Sequence, residues 1–265
     1  MKIYDRDYMK RPSETEYAEY KAIHARETAG RKIGAINLYH EYPAAIRHYN
    51  SLFPNNHIDL FDYKANEMMD TLLDEYASIL NDQTTTEREI LNFINHKSAH
   101  FIIASLFNRT SFSNHEAYIF PEFIIGGGIY RADYLLVGKN SGGYEFLFVE
   151  LEAPNGRTTI KNGHPGQSER SGINQIKDWK SSLQSDYDKV FAEYQKHTNK
   201  ECLPLEFQKY DHTRFHYAVV TGRRDDYNNV TYRERRETML ENNIMLLHYD
   251  NLFDYSVALV NKHAF

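Results

Sequence analysis

Three acidic residues form the clearest chemical pattern in this sequence. Asp133 stands in the run RADYLLV, and Glu150 and Glu152 close the apolar run FLFVELE. In extended backbone alternate side chains share a face, so Glu150 and Glu152 project to one side and Leu151 to the other. Carboxylates at the end of an apolar strand are expensive to bury unless a cation or hydrogen bonds compensate them. A hard divalent cation such as Mg2+ takes oxygen ligands and lets substrate phosphates complete its shell, which is what phosphodiester hydrolysis requires. Taken alone, the D…ExE spacing also fits acids that simply end a strand in solvent. The strand–hairpin–strand context around it favours the metal reading.

The elements that must position these acids are legible on both sides. EAYIFPEFII, IYRADYLLVG and YEFLFVELE read as three strands joined by the turns GGG and KNSGG. The second and third are apolar over most of their length, as in strands buried on both faces. Upstream, in NDQTTTEREILNFIN, Thr84 with Glu87 and Thr86 with Glu89 both match a helix capping box. Ile90, Phe93, Ile94 and Phe101 would bury the face of that helix or of a broken helix pair. Downstream, residues 171–197 read as one helix, with Ile173, Ile176, Trp179 or Lys180, and Leu183 at helical spacing. Trp179, the only tryptophan, reads as a packing anchor. RFHYAVVTG is a fourth strand, 231–242 a charged helix, and NIMLLHYDNLFDYSVALV a last strand with a closing helix. An antiparallel meander followed by a crossover predicts an α/β (α+β) fold with a mixed sheet and helices packed on it.

Residues 1–83 predict a small helical region for assembly or regulation, with the main domain over 84–265. Helical patterning runs through 13–30. A better amphipathic stretch runs from Lys64 to Leu80, with Met68, Leu72, Leu73, Tyr76 and Leu80 on one face.

Composition sets outer bounds. The chain has 265 residues, 41% hydrophobic and 14% aromatic, which is enough to fill a core. A net charge of −6 gives no global basic signature, so any nucleic-acid contact must be made by a local patch. A single cysteine, Cys202, excludes an internal disulfide framework. The absence of a long apolar run or an apolar N-terminal core leads to the expectation of a soluble, cytoplasmic protein without membrane contact. Gly126–Gly128 fits a hairpin turn better than a phosphate loop, and the 13 histidines, His164 included, show no zinc spacing.

The ordered motifs RADYLL, FLFVELEAPN, GINQIKDW, HYAVVTGRR and NNIMLLHYDNLF together resemble the nuclease domain of the Shedu family of bacterial antiphage defence proteins, a branch of the PD-(D/E)XK superfamily. The resemblance covers about residues 84–260. It implies a restriction-endonuclease-like core and a DNA endonuclease dependent on Mg2+ (or Mn2+). It makes Asp133 and Glu150 metal-binding acids, with the Leu151 carbonyl a further ligand and Gln175 a water- or phosphate-holding amide. Glu152 stands where the superfamily usually has lysine. A glutamate there can hold a second cation or act as a base, and Lys161 and Lys177 are candidates for a displaced cation. Glu87 or Glu89 would add an outer acid. Arg223, Arg224 and Arg233, with Arg235 and Arg236, are candidate DNA contacts, although their neighbours Asp225, Asp226, Glu234 and Glu237 leave an ordinary charged surface equally open for all five. Arg131, on the same strand face as Asp133, would either pair with an acid or contact the scissile phosphate. A homo-oligomer, dimer or dimer of dimers, is expected. The alternative is a catalytically silent relative that binds DNA or a protein partner.

Overall fold

Three consecutive glycines at positive φ, Gly126 (62°), Gly127 (72°) and Gly128 (105°), reverse the chain where any side chain would be strained. This turn joins the two longest strands of a six-stranded sheet. The computed structural model describes residues 3–261 except 11, 29–42, 65–66, 111, 113–114, 157, 159 and 161–164. The elements run α1 (Glu14–Thr28), α2 (Pro43–Tyr49), β1 (His57–Ile58), α3 (Glu67–Asn81), α4 (Glu87–His96) and α5 (Phe101–Ala104). Then come β2 (Glu116–Ile125), β3 (Tyr130–Asn140), β4 (Gly143–Leu151), α6 (Gln167–Ser185), α7 (Tyr187–Gln195) and α8 (Leu205–Gln208). β5 (Phe215–Val220), α9 (Asn229–Asn242), β6 (Ile244–Leu247) and α10 (Tyr249–Asn261) follow.

The sheet order is β1-β2-β3-β4-β5-β6. β1 to β4 pair antiparallel, and β5 and β6 add parallel to β4. This is the mixed sheet the sequence predicts, and helices cover both faces. On one face Tyr134, Leu136, Leu147, Val149, Leu151 and Val220 meet α3, α4, α5 and α10. On the other, Leu135, Val137, Phe146, Phe148, Tyr217 and Val219 meet α6 and α7. Burial of both faces explains why β3 and β4 read as near-continuous apolar runs.

Three details differ from expectation. The 171–197 segment is not one helix: Asp186, at φ −133° and ψ 39°, breaks it into α6 and α7. The break turns Tyr187, Val190 and Tyr194 onto the aromatic core under β2 and β4. In α3 the buried face contains Met69 with Leu72, Leu73, Tyr76 and Leu80, whereas Met68 is exposed. Both methionines lie within a helical step of Leu72, so spacing alone does not choose between them. Finally, residues before 84 contribute β1 to the sheet, and Ile3, Ile58 and the apolar face of α3 enter the same core as β3 and β4. Among the described residues no helix is long and apolar enough to cross a membrane.

Candidate metal-binding active site

The acids gather where β3 and β4 part. Cα pairing between these strands ends at Tyr134↔Val149, one step short of Asp133 and Glu150. Beyond that point the Asp133 side chain takes over the role of the missing strand: its Oδ2 accepts the Leu151 N–H at 2.7 Å. The N–H and C=O of one residue in a strand leave by the same edge, so the Leu151 carbonyl shares this edge with Asp133. The neighbouring Glu152 N–H points the other way, to the Val220 carbonyl at 2.8 Å.

β2 and β3 are distorted at the same level. Their Cα pairing runs to Pro121↔Tyr134, skips Glu122 and Asp133, and resumes at Phe123↔Ala132. Tyr118 and Phe120 lie in the same core as Phe123 and Ile125, so the alternation of faces slips by one residue on β2. β3 slips likewise, with Ala132, Leu135 and Val137 in that core and Tyr134 in the opposite one. Glu122 carries the distortion at φ 52°. Holding a non-glycine residue there costs about 1–2 kcal/mol.

Two further elements close on the acids. α4 is fixed at its start by the Thr86–Glu89 capping box. Asn155, just past β4, donates to the carbonyls of Thr85 (3.0 Å) and Asp82 (3.3 Å), and the Tyr134 hydroxyl donates to Asn95 Oδ1 at 3.1 Å. These contacts separate the two glutamates of the first turn. Glu89 is the exposed capping residue, whereas Glu87 is half-buried and close enough to raise the pKa values of Asp133, Glu150 and Glu152. On the other face, Gly172 of α6 comes so near that an added Cβ would lie 2.6 Å from Val219 Cγ1 and 3.2 Å from Glu152 Cγ. Ser171 hydrogen-bonds the Glu152 carboxylate. Trp179, two turns on, lies fully buried beside Phe148, with ring centroids 6.1 Å apart, as an anchor should. Four helical residues advance about 6 Å and two strand residues about 6.6 Å. Ser171 at Glu152 and Trp179 at Phe148 therefore put Gln175 at the level of Glu150.

The electrostatics of the cluster are those of acids lacking a counter-charge. Glu150 is 7% exposed and its Oε2 has no hydrogen-bond partner. Burial first, then the charges of Asp133, Glu152 and Glu87, push its pKa far up. Asp133 is also raised, by burial and then by Glu87, Glu152 and Glu122, against the lowering effect of the Leu151 N–H. Glu152 is pushed up to about 7, mainly by burial and against the Ser171 hydrogen bond. Burial raises Glu87 as well. Among the described residues, no group of three or more His, Cys, Asp or Glu side chains forms a complete metal-holding set. An ion here would need the Leu151 carbonyl, water or substrate oxygens besides Asp133 and Glu150. That donor set is hard and oxygen-only, as Mg2+ and Mn2+ prefer, and an unpartnered buried carboxylate oxygen in a like-charged cluster fits a cation.

A family model described as Shedu protein SduA, C-terminal, matches residues 84–253. The chain belongs to the Shedu family. The match runs from the α4 capping segment into α10 and so spans every element that assembles the acids in this Shedu protein. Family membership suggests a role in antiphage defence. No curated protein matches the chain.

The remaining candidates of this Shedu chain are distributed unevenly. Lys177 is exposed and stands about 200° around α6 from Gln175, facing away from the acids. Lys161 and His164 lie outside the described residues. Arg131 is exposed and pairs with Glu122 at 3.2 Å. Arg223 is held by both oxygens of Asp250 (3.1 and 2.8 Å) and by the Leu80 carbonyl, so it braces α10 and α3 and is not a free phosphate contact. Arg224 pairs with Asp254, and Arg233 with Glu237 at 3.5 Å, both on exposed surface. Arg223 and Arg224 also line a groove of about 540 Å³ with Asn155 and Gly156, at the end of the sheet where β4 delivers its glutamates. Ser171, Asn155 and Glu122 are site neighbours that the sequence reading did not single out. The lone acid in FPEF, within an apolar strand, was the one available signal among them.

Proposed function

We propose that this Shedu protein is a PD-(D/E)XK-type deoxyribonuclease that hydrolyses phosphodiester bonds with Mg2+ or Mn2+ in defence against invading DNA. One observation carries the reading. Glu150 is buried with an unpartnered oxygen among Asp133, Glu152 and Glu87, beside an Asp133 already locked on the Leu151 N–H. Asp133, Glu150 and the Leu151 carbonyl would hold the ion. When bound, the ion supplies Lewis acidity toward the phosphate and lowers the pKa of a coordinated water. Glu152, with a pKa near neutral, is suited to accept the proton that an attacking water gives up. Gln175, level with Glu150, can hold that water or a phosphate oxygen by its amide. The partly buried walls of α4 and α6 limit bulk water around the acids and strengthen each charge interaction there.

One feature favours a second reading. Glu152 replaces the usual lysine and Lys177 faces away, so among the described residues no lysine is brought to the acids. A silent DNA binder fits that chemistry. Plasmid nicking by the full chain in Mg2+ or Mn2+, set against Asp133→Asn and Glu150→Gln, separates the two. Metal-dependent nicking lost in both variants supports hydrolysis, and DNA retention without nicking by the native chain supports the binder.

A further inference from the structure

The Glu122–Arg131 pair brings a cation to a cluster otherwise built of acids. Glu122 and Asp133 are the two positions that the β2–β3 pairing skips, and both strands slip face there. Glu122 lies within electrostatic reach of Asp133 and hydrogen-bonds Arg131 through Nη1 at 3.2 Å. Arg131 itself is 60% exposed on its side chain, and among the described residues four of its five donors remain free for another acceptor. So exposed an ion pair returns little stability, while the left-handed backbone of Glu122 is unfavourable for any residue but glycine. Stability alone does not account for a glutamate at this position, and glycine would serve the strand better. An outlier beside a site is a reason to look for a role in that site. The cluster lacks a lysine at position 152, where a phosphate-facing cation is expected, and Arg131 is the cation that the distorted strands deliver to its edge.

We infer that Glu122 is a positioning residue that aims the Arg131 guanidinium at a DNA phosphate beside the acids, supplying the cationic contact that Glu152 cannot. The inference rests on the proposed DNA-directed function, but on binding and not on cleavage. Its signature is a reversal of sign. Removing a carboxylate next to DNA should tighten binding by charge alone, because one repulsion disappears. A positioning role requires the opposite.

The test is duplex DNA binding by the full-length protein, read by fluorescence anisotropy in Ca2+ over a salt series, with melting temperatures in parallel. Arg131→Ala is expected to weaken binding about tenfold and reduce the salt slope by about one. Glu122→Gln and Glu122→Gly should weaken it in the same direction. Combining Glu122→Gly with Arg131→Ala should weaken it no further than Arg131→Ala alone. Glu122→Gly should also leave the melting temperature unchanged or higher, since glycine accepts the left-handed backbone; loss of binding without loss of fold separates aiming from mere support. Tighter or unchanged binding in the Glu122 variants overturns the inference, as does an additive double variant. A native chain that binds DNA with this pattern yet never nicks it contradicts hydrolysis alone. Normal nicking with indifferent Glu122 variants contradicts the aiming role alone.

Discussion

Replacing Glu150 by glutamine should stabilise the metal-free protein increasingly as pH rises, and should remove its stabilisation by Mg2+. The carboxyl is 7% exposed, one oxygen has no partner, and its folded pKa lies well above its ordinary value of 4.5. The folded state therefore keeps a proton that the unfolded chain has released. The destabilisation is absent below pH 4.5 and grows as pH climbs toward the folded value, by at most about 1.4 kcal/mol per pH unit for one proton. Glutamine has no proton to release, so the gap between variant and native widens over that range. Between pH 5.5 and 8 the ceiling is about 3.4 kcal/mol. Sharing of charge with Asp133 reduces it to about 1–3 kcal/mol, or roughly 2–10 °C in melting temperature for a chain of this size. A buried amide has its own cost, but that cost is the same at both pH values, so the change between them is diagnostic. Thermal melts in EDTA at pH 5.5 and 8 measure it directly. In Mg2+ at a hundred times its dissociation constant the native protein should gain about 2.7 kcal/mol and the variant little. A difference that stays flat or narrows with pH would mean that Glu150 is already satisfied within the protein, and the argument for a cation would fail.

Other consequences follow from the same geometry. Gly172→Ala should destabilise the fold by about 1–3 kcal/mol in urea titration, because the new methyl meets Val219 and Glu152, and it should weaken Mg2+ binding by displacing α6. Thr86→Ala should cost about 1 kcal/mol through the lost α4 cap, with a smaller loss in metal affinity as Glu87 loosens. Because Glu150 and Asp133 keep their protons above the ordinary carboxylate range in the metal-free protein and Glu152 titrates at about 7, Mg2+ binding should release protons. Apparent affinity should then rise by up to about tenfold per pH unit for each proton displaced and keep rising above pH 7, as read by calorimetry in buffers of different ionisation enthalpy.

Much of this arrangement was legible in the sequence because strand and helix periods are local. The alternation in FLFVELE put Glu150 and Glu152 on one face, and the glycine-rich turns marked the meander. The capping pattern located α4 but offered two glutamates at equal merit. Only the fold separates them, through Asn155 and Asn95, whose contacts join residues 39 to 73 positions apart. The aiming of Lys177 away from the acids depends on the phase of α6, which Ser171 and Trp179 set by what they touch. The slip at Glu122 and Asp133 was invisible for a similar reason: it arises from pairing between strands, and FPEFII read alone is an ordinary apolar strand. The engagement of Arg223 by Asp250 likewise joins segments that sequence spacing does not connect.

The proposed activity depends on Asp133, Glu150 and the Leu151 carbonyl surrounding one hard cation. Crystals of the full chain soaked in Mn2+ and measured at the manganese absorption edge test it most directly. An anomalous peak is expected within about 2.0–2.4 Å of an oxygen from each of the three. A peak confined to other residues, or none at millimolar Mn2+ and pH 8 with the acids ordered, would contradict it.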